Sequence, residues 1–287
     1  MKIQLVPILM GFLLGAACVH AHENPETFQY AEADGVDPKH LSLDVYKPPS
    51  PGGGQTLIYV HGGGWRGGDK ANVGKKAQYF TEKGWLFISA NYRLLPHGKH
   101  PANAQDVAQA VAWVHGHAKD HGGDPNRIFL MGHSAGAHLV SLVATNSELL
   151  QKAGKDLSII KGVISLDTNT YDIPRLMRSK ASRFYSQVFG TNQTLWKDAA
   201  PYHHVAKDKD IPPFFIAYSR GTTPKLDPAR PLQANAFGGR LRNSGIPTKV
   251  FKAIDRNHGE ISQRFGDPAD NVTLNAYEFL VLKESWN

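Results

Sequence analysis

RIFLMGHSAGAHLVSLVA, residues 127–144, begins as a strand and ends as a helix. Ile128 to Met131 is a short apolar run, as a buried strand requires. His138 to Thr145 continues as a helix. Gly132-His133-Ser134-Ala135-Gly136 makes the turn between them. A serine at so tight a strand-to-helix turn has a strained backbone and an exposed hydroxyl. Side chains two positions to either side would meet the neighbouring strand or helix, so both places call for glycine. The helix that follows points its positive end at the hydroxyl, which suits an anionic intermediate. Ser134 is therefore the candidate nucleophile.

Working outward, apolar runs recur at Leu41–Tyr46, Thr56–Val60, Trp85–Ala90, Ile159–Leu166, Pro213–Tyr218 and Lys249–Ile254. Helical periodicity lies between them. Val107, Val111 and Val114, with alanines at 108 and 112, mark a helix over Ala104–Ala118, and 229–243 and 271–283 read as two more. Strands alternating with helices predict an α/β fold, a mostly parallel central sheet with helices on both faces. Ligands of such sheets sit at the carboxyl ends of the strands. Residues 168–206 break the alternation and carry Tyr171, Phe184, Tyr185, Phe189, Trp196 and Tyr202. A connection of that length predicts a small cap over the strand ends.

Leu57 to Trp65 reads LIYVHGGGW. Three glycines after a buried strand let backbone N–H groups turn inward. Gly63 and Gly64, with Ala135 after the serine, are the candidate oxyanion-hole donors. His61 reads as a brace for this loop, and Trp65, with the cap aromatics, as part of an apolar substrate pocket. No Gly-Lys-Ser/Thr follows the glycines, so a phosphate loop is not indicated.

The chain has 14 histidines, and His258 is marked out by place. It follows the last apolar strand and precedes the final helix, so it is the candidate base. Its acid partner is expected after the 213–218 strand. Asp227 is the carboxylate of that loop, and Asp255, in the histidine's own loop, is the alternative and the candidate to shape that loop.

Lys and Arg total 32 against 25 Asp and Glu, a net charge of +7, but the basic residues are scattered without aromatic interleaving, so no nucleic-acid partner is indicated. No histidine pair has convincing zinc spacing with a carboxylate, and the expected chemistry needs neither metal nor organic cofactor. Cys18 is the single cysteine, which leaves no disulfide framework. Lys2 followed by the apolar Ile3–Val19 and by Val19-His20-Ala21 reads as an export signal over 1–21, with residues 22–287 as one mature domain. The run is short and broken by Pro7, Gly11 and Gly15, so no stable membrane span is expected in the mature form. Secretion or delivery to the periplasm follows. Gly15-Ala16-Ala17-Cys18 leaves open a lipid anchor on Cys18.

The order Ser134, Asp227, His258, together with HGGGW, Gly68-Asp69-Lys70, Asn91-Tyr92-Arg93-Leu94, Asp124-Pro125-Asn126-Arg127-Ile128 and GHSAG, resembles the α/β-hydrolase superfamily. Within it the chain is similar to the hormone-sensitive-lipase-like esterases, in particular to bacterial carboxylesterases related to arylformamidases. The resemblance covers roughly residues 41–283. It implies hydrolysis of short-chain or aromatic esters by a Ser-His-Asp triad through an acyl-enzyme. It leaves open formamide or peptide cleavage by the same triad, and a hydrolase fold kept only for binding. The chain departs from its relatives at the acid. Many of them carry Gly-Asp or Glu-Asp soon after that strand, whereas this chain has Arg220-Gly221 and reaches Asp227 later.

Overall fold

The computed structural model describes residues 24–50, 53–179, 182–220 and 229–284. The expected export signal with Cys18, and Asp227, lie outside the described residues.

The strands are β1 (Glu26–Gln29), β2 (Ser42–Tyr46), β3 (Thr56–Val60), β4 (Leu86–Ala90), β5 (Ile128–His133), β6 (Ile160–Leu166), β7 (Phe214–Ser219) and β8 (Thr248–Ala253). The helices are α1 (Lys76–Thr81), α2 (Ala102–His117), α3 (Ala135–Val143), α4 (Ser147–Lys152), α5 (Ile173–Met177), α6 (Ser182–Phe189), α7 (Gln193–Asp198), α8 (Pro201–His204), α9 (Ala229–Asn243), α10 (His258–Gln263) and α11 (Asn271–Glu284).

All eight strands form one sheet in the order β1-β2-β4-β3-β5-β6-β7-β8. From β4 to β8 the pairings are parallel, and β2 alone runs against the rest, pairing antiparallel with both β1 and β4. The sequence reading anticipated every parallel strand. It did not anticipate β1 or α1. Glu26–Gln29 is mostly polar and exposed, an edge strand in which Phe28 alone packs on the core, too little for a hydrophobic pattern.

The central strands are buried on both faces, which is why they read as unbroken apolar runs rather than alternating ones. Along β3, Leu57 and Tyr59 point into one layer with Phe80 of α1, Phe129, Phe215 and Phe279 of α11. Ile58 and Val60 point into the other layer with Val107 of α2, Leu139 of α3 and Phe237 of α9. Residues 168–206 hold the four short helices α5 to α8 between β6 and β7. Among the described residues no helix is long and apolar enough to cross a membrane.

Parallel pairing brings the carboxyl ends of β3, β5, β6, β7 and β8 to one edge. Val60 lies beside Gly132, His133 beside Leu166, and Ser219 beside Ala253. The next residues of each chain segment build the site.

Candidate active site

Ser134 sits between β5 and α3 with φ 55° and ψ −117°. This left-handed backbone costs a non-glycine residue about 1–3 kcal/mol, a strain that the surrounding structure must hold. Its amide donates to Leu166 O at 2.9 Å, and its carbonyl accepts from His138 N at 3.1 Å. The flanking glycines are required by space. A Cβ at Gly132 would enter the Gly136 carbonyl, and one at Gly136 the Val60 carbonyl. The tight turn read from the sequence is thus a contact between the elbow and strand β3.

The loop after β8 delivers the imidazole. Asn257 caps α10, with its side chain accepting from Gly259 N and Glu260 N while Glu260 reaches back to the Asn257 amide. This reciprocal cap fixes His258 as the first helical residue. Arg256 is anchored behind it by an ion pair with Asp270 and a 2.8 Å hydrogen bond to Asn271. His258 Nε2 lies 2.9 Å from Ser134 Oγ.

The acid is where the structure corrects the sequence reading. The carboxylate on His258 Nδ1, at 2.7 Å, belongs to Asp167. Asp227 was expected there. Asp255, the alternative, is half exposed and pairs with Arg256 at 2.7 Å, so it shapes the loop. The physical reason is strand order. β6 lies next to the nucleophile strand, and Asp167 is its next residue, whereas β7 ends in Ser219-Arg220 with no carboxylate. Ser219 instead serves Asp167, giving its amide to Oδ1 at 2.8 Å and its hydroxyl to Oδ2 at 2.5 Å. One signal was available in the sequence. Ser165-Leu166-Asp167 places a carboxylate directly after an apolar strand, whereas Asp227 is the eighth residue after β7.

Asp167 is fully buried. Burial works against its charged form. The His258 hydrogen bond, the Arg230 charge and the Ser219 hydrogen bond more than offset that, and hold the carboxyl below its usual range. His133 stacks on His258 with ring centres 4.6 Å apart, and its Nε2–H donates to His258 O at 2.9 Å. Burial and the neighbouring His258 push His133 down to about 3, so it is neutral. It clamps the base without competing for the proton.

The glycine loop also falls into place. Gly63 and Gly64 have φ of 117° and 61°, and a Cβ at Gly63 would collide with the Gly67 carbonyl. Gly63, Gly64 and Ala135 share with Ser134 and His258 the wall of a cavity of about 430 Å³. His61 braces the loop, stacked on Tyr92 at 4.6 Å with Nδ1 against Gly62 O at 2.7 Å. Trp65 lines the cavity but is only 3% exposed, held against Phe189 at 5.2 Å and His138 at 5.5 Å. It is a wall more than a free binding surface. Phe184 and Tyr185 of α6 complete the apolar side, with the Tyr185 hydroxyl donating to Asn169 Oδ1 at 3.1 Å. Tyr171 and Phe189 are buried and seat the cap on the body of the domain, Tyr171 stacked on Phe237 of α9 at 4.5 Å and Phe189 against Trp65 and His138 at 5.2 Å each. Among the described residues no group of three or more His, Cys, Asp and Glu could hold a metal ion.

A serine on an elbow, an imidazole after the last strand and a glycine loop beside them, on a mostly parallel sheet, define the α/β-hydrolase fold. Two solved structures share it. Esterase B from Lactobacillus rhamnosis, in a C6-C4 SN3 inhibited form, superposes with a TM-score of 0.73 at 21% identity, over 92% of this chain and 89% of that one. The butyrate-bound thermophilic esterase Est2 from the Planctomycetes species Thermogutta terrifontis gives 0.69 at 22%, over 92% and 93%. The BD-FAE family model matches residues 43–225, and the chain belongs to that family. Esterase LipQ of Mycobacterium tuberculosis is 31% identical over 231 residues, 75% of this chain and 53% of LipQ. The chain spans about half the length of the curated relatives it matches, the probable carboxylic ester hydrolase LipM (51%) being another.

Proposed function

We propose that the protein hydrolyses carboxylic esters through a covalent acyl-enzyme. The observation that carries this reading is the unbroken chain from Asp167 through His258 to Ser134 Oγ, opening on the glycine-loop cavity. His258 Nε2 takes the Ser134 proton as Oγ attacks the ester carbonyl. Asp167 holds the ring in the Nδ1–H form and stabilises the imidazolium. The oxyanion lies on the amides of Gly63, Gly64 and Ala135, each worth about 3 kcal/mol in the transition state. His258 then protonates the departing alcohol. Water, deprotonated by the same imidazole, attacks the acyl-enzyme and releases the acid. Side chains, backbone amides and water supply every step.

Esterase relatives support the reaction class. For the substrate we infer short-chain acyl or aromatic esters. The apolar side of the cavity, with Trp65, Phe184 and Tyr185, supports this, as does the butyrate held by the T. terrifontis enzyme. The test is a series of p-nitrophenyl esters of rising acyl length, run beside N-formylkynurenine and a proline-containing peptide. Ester turnover that peaks at short chains and vanishes in Ser134→Ala is the expected result. A fluorophosphonate probe should label wild type and not Ser134→Ala. Absence of labelling, or an amide preferred to every ester, overturns the reading.

A further inference from the structure

Asp167 raises a question that Ser219 and His258 do not answer. Its φ is 56°, a left-handed backbone at a residue that is neither glycine nor exposed. Its amide is held by Ala217 O at 2.8 Å, and its carbonyl by Arg230. The Arg230 Nη1 donates to Asp167 O at 2.6 Å and lies 3.5 Å from Asp167 Oδ2. One guanidinium nitrogen thus reaches both the backbone and the carboxylate of a single residue.

The placement of Arg230 is unexplained by its own helix. It is the second residue of α9, in the first turn, where a cation opposes the helix dipole. It is 7% exposed, so its charge is taken out of water. A buried cation is tolerated when a buried anion faces it, and each would be costly alone. Arg230 also lines the cavity, close to the reacting groups.

We propose that Arg230 is a positioning residue: it fixes the backbone of the triad acid and sets the pH below which the Asp167–His258 pair stops working. The inference rests on the ester-hydrolase reading. Among the described residues, the titratable and charged groups facing the pair are His133 from β5, Tyr171 after β6 and Arg230 from α9. His133 is neutral, and burial keeps Tyr171 protonated, so Arg230 is the charge among them. A positive charge beside the pair disfavours adding a proton to it. Removing that charge therefore moves proton uptake to higher pH.

The experiment is kcat and kcat/KM against pH for wild type, Arg230→Met and Arg230→Lys on uncharged p-nitrophenyl acetate. In Arg230→Met the acidic limb should move up by about one pH unit, and kcat should fall about 10- to 100-fold with KM nearly constant. Arg230→Lys keeps the charge, but its shorter chain stops the ammonium short of the Nη1 position at Asp167 O, so its limb should stay in place while kcat falls. Guanidinium, well below unfolding concentrations, should restore part of the kcat of Arg230→Ala. A lysine variant whose limb moves as the methionine variant's does overturns the proposal, as does wild-type behaviour in Arg230→Met. If Arg230→Met does not fold, the lysine variant decides: an unmoved limb with lowered kcat supports the proposal, and any other result overturns it. Ser134→Ala in the same assay separates the two failures. If it stays active, the ester reading falls. If it is inactive while Arg230→Met is unimpaired, only the role of Arg230 falls.

Discussion

Ser219, the last residue of β7, gives both its amide and its hydroxyl to the carboxylate of Asp167, the residue that follows β6. The acid of this site thus comes from the strand next to the nucleophile, and the end of β7 supplies its support. Asp167→Asn should lower kcat by about 10³- to 10⁴-fold with little change in KM, because the amide cannot hold the correct tautomer of His258. Asp227→Asn and Asp255→Asn should stay within a few-fold of wild type. Steady-state kinetics on the three variants decides the assignment, and a collapse of activity in Asp227→Asn alone would reverse it.

The elbow makes a paired prediction with opposite signs. Gly136→Ala drives a Cβ into the Val60 carbonyl, so strands must part, and stability should fall by about 3 kcal/mol or more with activity lost. Gly116→Ala, inside α2 with open space around it, should raise stability by about 0.4–1 kcal/mol through the unfolded chain. Urea midpoints of both variants give the test.

Lys76 gives a pH dependence. It is 2% exposed, donates to Ser262 O at 2.7 Å and lies over the Tyr59 ring at 5.2 Å. Burial pushes it down to about 8 from an ordinary 10.5. Between those two values the unfolded chain binds more protons than the folded one, so this group's contribution raises stability as pH rises from about 8 to 10.5. At neutral pH its burial costs on the order of 3 kcal/mol. The difference in unfolding free energy, wild type minus Lys76→Met, should therefore climb over that window. A flat difference would refute the burial cost.

Phe184 stands 41% exposed at the cavity, with the Arg66 guanidinium 4.7 Å from its ring centre. Phe184→Ala should lower kcat/KM about tenfold for butyryl or aromatic esters and far less for acetate, since only the larger groups would bury the ring. Equal losses across the series would make the residue part of the cap's packing alone.

We propose export for the segment outside the described residues. N-terminal sequencing of the protein made in a bacterium with a periplasm should begin at His22. A chain that retains Met1 would overturn this, and a mature chain that starts at a lipidated Cys18 would mean export with an anchor in place of release.

Most of the sheet was legible because parallel strands buried on both faces leave apolar runs that no solvent-facing pattern dilutes. Ser134 and the glycine loop were legible because their geometry is local: a few neighbouring residues must turn sharply, and glycine marks where. His258 needed only its place after the last strand. Asp167 was hidden because its identity is a relation between strands. Asp227 and Asp167 both follow an apolar strand, and what separates them is which strand neighbours β5 and what fills the end of β7. Edge strand β1 was hidden for a related reason. It is held by backbone hydrogen bonds to β2, which leave little mark on the sequence, and by one apolar side chain, Phe28, against Trp113 at 5.2 Å.

The hydrogen bond from Ser134 N to Leu166 O, one residue before Asp167, has a mechanical consequence. Nucleophile and acid ride on a pair of neighbouring strands laced to each other in the middle of the sheet, so thermal breathing carries them together. The imidazole arrives from an edge strand, β8, held by its helix cap and by His133 rather than by strands on both sides, so it is the member with the fewest backbone restraints. On warming, activity should therefore fade by departure of the histidine loop while the rest of the molecule is still folded.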